Sequence, residues 1–185
     1  EADATPLAEQ LEVLAGKVAA LEKQVVPPLV FEAYQGAVMQ SLQRGKKLGS
    51  VDFTGREHYE LSFDIAVKGL SSQWRNVFQV GNSGGIRSPA VFVYPGRAIL
   101  HLRQASQDGG WNDGQDPMVP VSRDPTKPTH VKLVASPTGV KYYFDGQLKG
   151  EDTSDPKFPL GAQAVFAANP APGDHGSILL RNLKF

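Results

Sequence analysis

The sequence predicts an all-β protein, an antiparallel β-sandwich or jelly roll, preceded by a short N-terminal coiled-coil helix. Three observations predict it. After residue 45 no stretch carries the helical period, while apolar and polar residues alternate along several short segments. Glycine, proline and aspartate turn signals separate those segments. Residues 5–26 have a different period, and Pro27-Pro28 divides them from the rest of the chain. The expected organisation is an oligomerisation helix with its Pro-Pro linker over 1–28 and a β-sandwich over 29–185.

In the N-terminal piece, apolar residues fall at Leu7, Leu11, Leu14, Val18, Leu21 and Val25, a spacing of 4, 3, 4, 3, 4. That is a heptad seam, with Leu11, Val18 and Val25 at position a and Leu7, Leu14 and Leu21 at d. Gly16 then falls at f, the outermost point, and Lys17 at g precedes Glu22 at the next e, the spacing of interchain ion pairs in parallel coiled coils. Thr5-Pro6 supplies a capping side chain and a proline at the first helical position. A single amphipathic helix lying on the domain would also carry an apolar stripe. The strict a/d pattern and the marginal stability of so short a helix in water favour self-association, as a dimer or trimer.

Beyond the prolines the period becomes two. Leu61, Phe63, Ile65 and Val67 alternate with Ser62, Asp64, Ala66 and Lys68, which reads as a half-buried strand with one wet face. Similar strands are expected at 76–81, 90–94, 97–103, 129–135, 139–144, 163–168 and 177–185. Pro95-Gly96, Pro137-Thr138-Gly139 and Asp145-Gly146 supply turns between them. Residues 30–53 fit neither period, and 104–128 reads as one long loop, of the kind that is usually functional or mobile.

Composition excludes several classes. Nineteen Lys+Arg balance nineteen Asp+Glu, which disfavours nucleic acid or an anionic membrane as the main partner. No cysteine is present, so a disulfide scaffold, a thiolate metal site and a cysteine nucleophile are excluded. No apolar run approaches the 18 or so residues of a transmembrane helix. The opening Glu1-Ala2-Asp3-Ala4 reads either as the product of removing a secretory signal or as a trimmed fragment. The first of these gives the expectation of a secreted or cell-surface protein.

Read in order, Tyr59 to Ile65, Phe78-Gln79-Val80-Gly81-Asn82, Ala90 to Tyr94, Ala98 to Leu102, His130 to Leu133, Val140 to Gln147 and Ile178 to Phe185 resemble the strand series of the concanavalin A-like lectin/glucanase superfamily, including its laminin-G-like domains. The resemblance covers roughly residues 30–185. It implies two stacked antiparallel sheets and a ligand that is a glycan or an extracellular protein, in some members with calcium at the rim. Fold analogy alone assigns no function.

Two departures from that superfamily matter. Its glucanases carry a Glu-x-Asp-x-(x)-Glu pattern on one strand, and the nearest approach here is Glu60 with Asp64. Residues i and i+4 on a strand lie about 13 Å apart, against the ~5–5.5 Å of retaining or ~6.5–9.5 Å of inverting glycoside hydrolysis. The laminin-G-like calcium site draws an aspartate from a place that reads Ser88-Pro89-Ala90 here. Asp108, Asp113 and Asp116 are the remaining calcium candidates, without EF-hand spacing. No cofactor is expected. No G-x-S-x-G elbow, H-E-x-x-H pair or P-loop occurs, and His58, His101, His130 and His175 lack ligand spacing.

The candidate binding residues lie in loops and on one basic strand face. Trp111, flanked by Asn112 and Asp113 in a polar loop, could stack on the C–H face of a sugar while its neighbours take hydroxyls. Trp74 could serve likewise. Arg87 lies at the end of a glycine-rich loop, and His101 and Arg103 share a strand face with Arg97 and Ile99. Each has a plainer reading: an indole folded back as a core seal, or a solvated charged face. The expectation is a non-enzymatic, lectin-like recognition module made multivalent by its helix. The alternative is a protein-binding or adhesion domain on the same scaffold, and a third class is a hydrolase with carboxylates from different strands.

The seam Leu7–Val25 predicts assembly of the intact chain. Light scattering should give a dimer or trimer for the whole chain and a monomer for a chain starting at Leu29. A monomer in both cases contradicts the seam.

Overall fold

The computed structural model describes residues 10–15, 29–81, 87–106, 110, 112–154, 156–159, 161–168 and 177–185. Residues 10–15 are helical, and Leu11 and Leu14 are each 59% exposed, so among the described residues these two seam positions are largely uncovered. Leu7, Val18, Leu21 and Val25 lie outside the described residues. Among the described residues no helix is long and apolar enough to cross a membrane.

The described residues form twelve strands: β1 (Glu32–Ala33), β2 (Gln40–Ser41), β3 (Lys47–Asp52), β4 (Tyr59–Val67), β5 (Arg75–Val80), β6 (Ala90–Val93), β7 (Leu100–Arg103), β8 (Thr129–Ser136), β9 (Gly139–Phe144), β10 (Gln147–Asp152), β11 (Ala162–Ala167) and β12 (Ile178–Lys184). They form two sheets. One runs β1-β12-β4-β8-β9-β10, with β2 also paired to β12, and the other runs β3-β11-β5-β6-β7. Every pairing is antiparallel. The chain is an all-β sandwich, as the alternation predicts.

The inner faces of the two sheets meet in one core. Phe63 of β4 packs edge-on against Phe78 of β5 with ring centroids 5.2 Å apart, joining the sheets across the middle. Towards one end, Phe53, Tyr59, Phe158 and Phe185 form a set of aromatic contacts at 5.8–6.1 Å. Leu61, Phe63, Ile65 and Val67 are all fully buried, so the expected inward face of β4 is the observed one.

Apart from the exposed Glu60 at its start, the other face of β4 is not wet, contrary to expectation. Ser62, Asp64 and Ala66 are buried as well. The reason is position: β4 lies between β12 and β8, and long side chains from both neighbours lie over it. Asp64 accepts hydrogen bonds from His130 Nδ1 at 2.8 Å, Arg181 Nε at 2.9 Å and Asn182 Nδ2 at 3.1 Å. Burial pushes its carboxyl up, and these donors together outweigh that, leaving it below the usual aspartate value.

Four strands carry no clear period in the sequence, namely β1, β2, β3 and β10. Among them β10 is largely exposed and pairs only with β9, so it needs no apolar face. Its hairpin is nevertheless legible. Asp145 (φ 47°) and Gly146 (φ 77°) both take left-handed conformations, the requirement of a two-residue type I′ turn. At the start of β5, Arg75 turns inward and is fully buried. Its Nη1 donates to the Gly69 carbonyl at 2.9 Å and to Ser177 Oγ at 2.7 Å, tying the 69–74 segment to the start of β12.

Phe63→Ala should cost about 3–5 kcal/mol through the cavity it leaves between the sheets. Ser62→Ala should cost about 1 kcal/mol or less. Urea unfolding of the two variants checks this, and equal small losses would mean that the inner face is misassigned.

Candidate functional site

The five-stranded sheet turns one face to the core and the other outward, and the strand register fixes which residues share the outward side. Asn76 pairs with Phe92, and Phe92 with His101. Gln79 pairs with Ala90, and Ala90 with Arg103. These six residues therefore form two cross-strand rows on the outward face. Val91, Val93, Leu100 and Leu102, in the opposite phase, belong to the core.

This outward face is covered, contrary to the expectation of a solvated basic row. The long loop folds back over it, and Asp116 is the point of attachment. Its carboxylate accepts from His101 Nδ1 at 2.8 Å, from Arg103 Nη2 at 3.0 Å and Nη1 at 3.1 Å, from the Leu102 amide at 3.2 Å, and from the Tyr94 hydroxyl. The side chains of His101, Arg103 and Asp116 are only 13%, 11% and 10% exposed. Burial raises the Asp116 carboxyl, but the hydrogen bonds from His101 and Tyr94 and the positive charge of Arg103 leave it below the usual value. The same hydrogen bond, with burial, raises the Tyr94 hydroxyl.

The clamp orders a group of rings. Trp74 packs at a tilt against Tyr94, with centroids 4.6 Å apart and planes at 43°, and against His101 at 4.7 Å and 52°, and Tyr94 meets His101 edge-on at 5.3 Å. Trp74 itself stays 40% exposed. None of the described residues accepts a hydrogen bond from its indole N–H. The Gly96 amide donates to the Ser71 carbonyl at 2.6 Å, tying the Pro95-Gly96 turn to the segment that carries Trp74. The result is a supported aromatic surface at the edge of the sheet.

Along the same face the contacts continue. Phe92 meets His101 with centroids 6.1 Å apart, and the Arg87 guanidinium lies 4.9 Å over the Phe92 ring. Arg87 Nη1 donates to Asn112 Oδ1 at 2.5 Å. The loop is held by its backbone too: the Gln104 amide donates to the Asp113 carbonyl at 2.9 Å, and the Asp113 carboxylate accepts from Ser106 Oγ. Gly114 is required here, since a Cβ would lie 2.4 Å from the Leu102 carbonyl oxygen. Of the sequence candidates, Trp74, Arg87, His101, Arg103 and Asn112 thus join one connected surface, and Asp113 anchors the loop beside it. Trp111 and Asp108 lie outside the described residues.

The loop aspartates were candidates for calcium. Asp116 is instead occupied by hydrogen-bond donors on both oxygens, and Asp113 by Ser106. Among the described residues no group of three or more His, Asp or Glu side chains could hold a metal ion.

Tyr94, Phe92 and Asp116 are the parts of this site that sequence reasoning missed as binding-face residues. A signal existed for Phe92, because its register against the outward His101 puts both on one face. A second feature, also missed, lies on the opposite side of the molecule. The outward face of the larger sheet holds a groove of about 480 Å³ lined by Glu60, His130, Lys132, Val134, Tyr143 and Gly146.

No protein-family model and no curated protein sequence matches this chain. Solved structures do. A Trypanosoma rangeli sialidase matches at 14% identity with a TM-score of 0.52, over 96% of this chain and 36% of that one. The same sialidase in complex with sialic acid matches at 12% identity and TM-score 0.49, over 94% and 36%. A botulinum neurotoxin type C structure, whose passage into cells depends upon interaction with two ganglioside molecules, matches at 12% and 0.47, over 84% and 42%. The chain therefore spans about a third of the length of the sialidase whose fold it shares.

This finding corrects the expectation of a non-enzymatic module. The fold occurs within the chain of an enzyme. Besides a few local motifs, the sequence argument against catalysis rests on the lack of a carboxylate pair on one strand. Its absence excludes that arrangement and leaves other catalytic arrangements open.

Asp64 and Asp116 both have native pKa values below the unfolded value of about 3.9. Their contribution to stability is therefore complete above that value and is lost as pH falls through the native pKa. Urea midpoints should hold steady from pH 6 towards 4 and drop below it. Asp116→Asn should lower the midpoint at pH 6 and flatten the acid limb. A wild-type midpoint unchanged from pH 6 to 2 would contradict these contacts.

Proposed function

We propose that the chain is a carbohydrate-recognition module whose contact surface centres on Trp74. One observation carries this reading: an indole that is 40% exposed yet held in place by tilted ring contacts with Tyr94 and His101. Sugars present an apolar C–H face and a rim of hydroxyls. A ring fixed in advance offers the first a platform with little loss of ordering entropy on binding. The indole N–H supplies a donor for a hydroxyl. Arg87 and Asn112 extend the surface along the same face, with Asp113 on its loop side. His101 and Arg103 act as positioning residues, because they are covered and engaged by Asp116.

A sugar as the ligand class agrees with the sialidase that shares the fold. The protein-binding alternative calls for a broad apolar sheet face, and among the described residues both outward faces are mixed and polar. The N-terminal seam adds multivalency to this proposal. A shallow polar site exchanges water contacts for sugar contacts at small net gain, and two or three heads on one helix raise the effective affinity. Secretion or display at a cell surface, where glycans are presented, belongs to the same reading.

Trp74→Ala should weaken monovalent binding to a responsive oligosaccharide by about two- to tenfold, the worth of one aromatic contact. Trp74→Phe should restore part of it. Binding to a dense glycan surface should fall further. Isothermal titration and a glycan array measure the two, with circular dichroism confirming the fold. Unchanged binding in the alanine variant contradicts the proposal.

A further inference from the structure

We propose a second binding site, on the opposite face of the sandwich, for an uncharged pyranose segment of a glycan. It occupies the groove of about 480 Å³ on the outward side of β4, β8 and β9, a volume inside the ~300–1,000 Å³ usual for ligand clefts. The strand register builds it. Lys132 pairs with Ser62 on one side and Tyr143 on the other. Glu60 pairs with Val134, and Asp64 with His130. The outward side chains thus set a partly exposed aromatic ring and an apolar Val134 beside a carboxylate, an ammonium and an imidazole.

The charges select the ligand. Lys132 Nζ lies 2.7 Å from Glu60 Oε2, with the two side chains 37% and 62% exposed. The pair leaves the groove with adjacent donor and acceptor and little net charge. That suits a hydroxyl, which can donate to Glu60 and accept from Lys132 at once, and it gives an ionic ligand no uncompensated partner. Tyr143 provides the ring for the sugar's C–H face.

The walls are also fixed in advance. His130 Nδ1 is held by Asp64, which is itself held by Arg181 and Asn182. Among the described residues none bonds the ring's other nitrogen, Nε2, which can meet a ligand. Beside it the β9–β10 turn is pinned in both directions. The His130 amide donates to Asp145 Oδ1 at 2.8 Å, and the Asp145 amide donates to the His130 carbonyl at 2.8 Å. At the rim, a Cβ added to Gly146 would meet no atom within 4 Å, so the turn leaves the approach open. This site shares no residue with the Trp74 surface and does not depend on it. With both occupied, one head could bridge two glycan chains from opposite faces.

The test is amide chemical-shift mapping of the intact chain by NMR, titrated separately with cellohexaose, laminarihexaose, N-acetylchitohexaose and an uncharged Gly-Ser peptide. Saturable shifts over 130–134 and 141–146 with at least one oligosaccharide are expected. They should persist in Trp74→Ala. Tyr143→Ala should weaken them by about two- to tenfold, and Lys132→Met, an exposed change that spares the fold, should weaken them as well. Tyr143→Phe should retain them. The proposal is overturned if no oligosaccharide shifts these segments, if only the peptide does, or if Tyr143→Ala and Lys132→Met leave the titration unchanged. Loss of shifts near residues 94–103 alone would count against the Trp74 surface and not against this one.

Discussion

Asp116 accepts hydrogen bonds from Tyr94, His101, both terminal nitrogens of Arg103 and the Leu102 amide. Much of the outward face of the smaller sheet depends on that one carboxylate. It fastens a loop with no strand of its own onto β7, and it fixes the Tyr94 and His101 rings on which Trp74 rests. A bidentate arginine and three further donors compensate its burial, so the charge is well accommodated in a partly dry place. Without it, the loop would keep the backbone bridge of Gln104 to Asp113 and the side-chain ties of Arg87 to Asn112 and Ser106 to Asp113, all away from Trp74, which would lose its ordered support.

The larger sheet uses the same device differently. Asp64 gathers His130, Arg181 and Asn182 across three strands. Beside that centre Arg181 also donates to the Ala37 carbonyl, while Lys132, Glu60 and Tyr143 remain accessible. Both faces therefore rest on a buried aspartate that orients an imidazole. On one the exposed group is an indole at the sheet edge. On the other it is a groove along the strands.

The sandwich was legible because its central strands bury one full face. Period-two alternation marks β4, β8 and β9, and the turn residues mark their ends. Edge strands such as β10 escaped, since a strand paired on one side only needs no apolar face. At the site, the residue types were legible and their convergence was not. Trp74, Arg87, His101 and Arg103 stand out in the sequence, but their contact runs through Phe92, Tyr94 and Asp116, brought in by register and by loop return. The buried polar side of β4 was misread for a related reason. Alternation distinguishes two faces of a strand but cannot say whether neighbouring strands will cover the polar one. The groove was missed because Glu60, Lys132 and Tyr143 look, one strand at a time, like ordinary solvent-facing residues.

Sugar recognition by a preordered indole is the central claim, and a crystal structure of the intact chain grown with a responding oligosaccharide tests it most directly. The account predicts a pyranose ring lying in van der Waals contact over the Trp74 indole, with a hydroxyl accepting from its Nε1 and with the Tyr94–His101–Asp116 contacts unchanged. A bound sugar that leaves the Trp74 face bare, or a Trp74 that leaves the Tyr94 and His101 rings when the sugar binds, would contradict it.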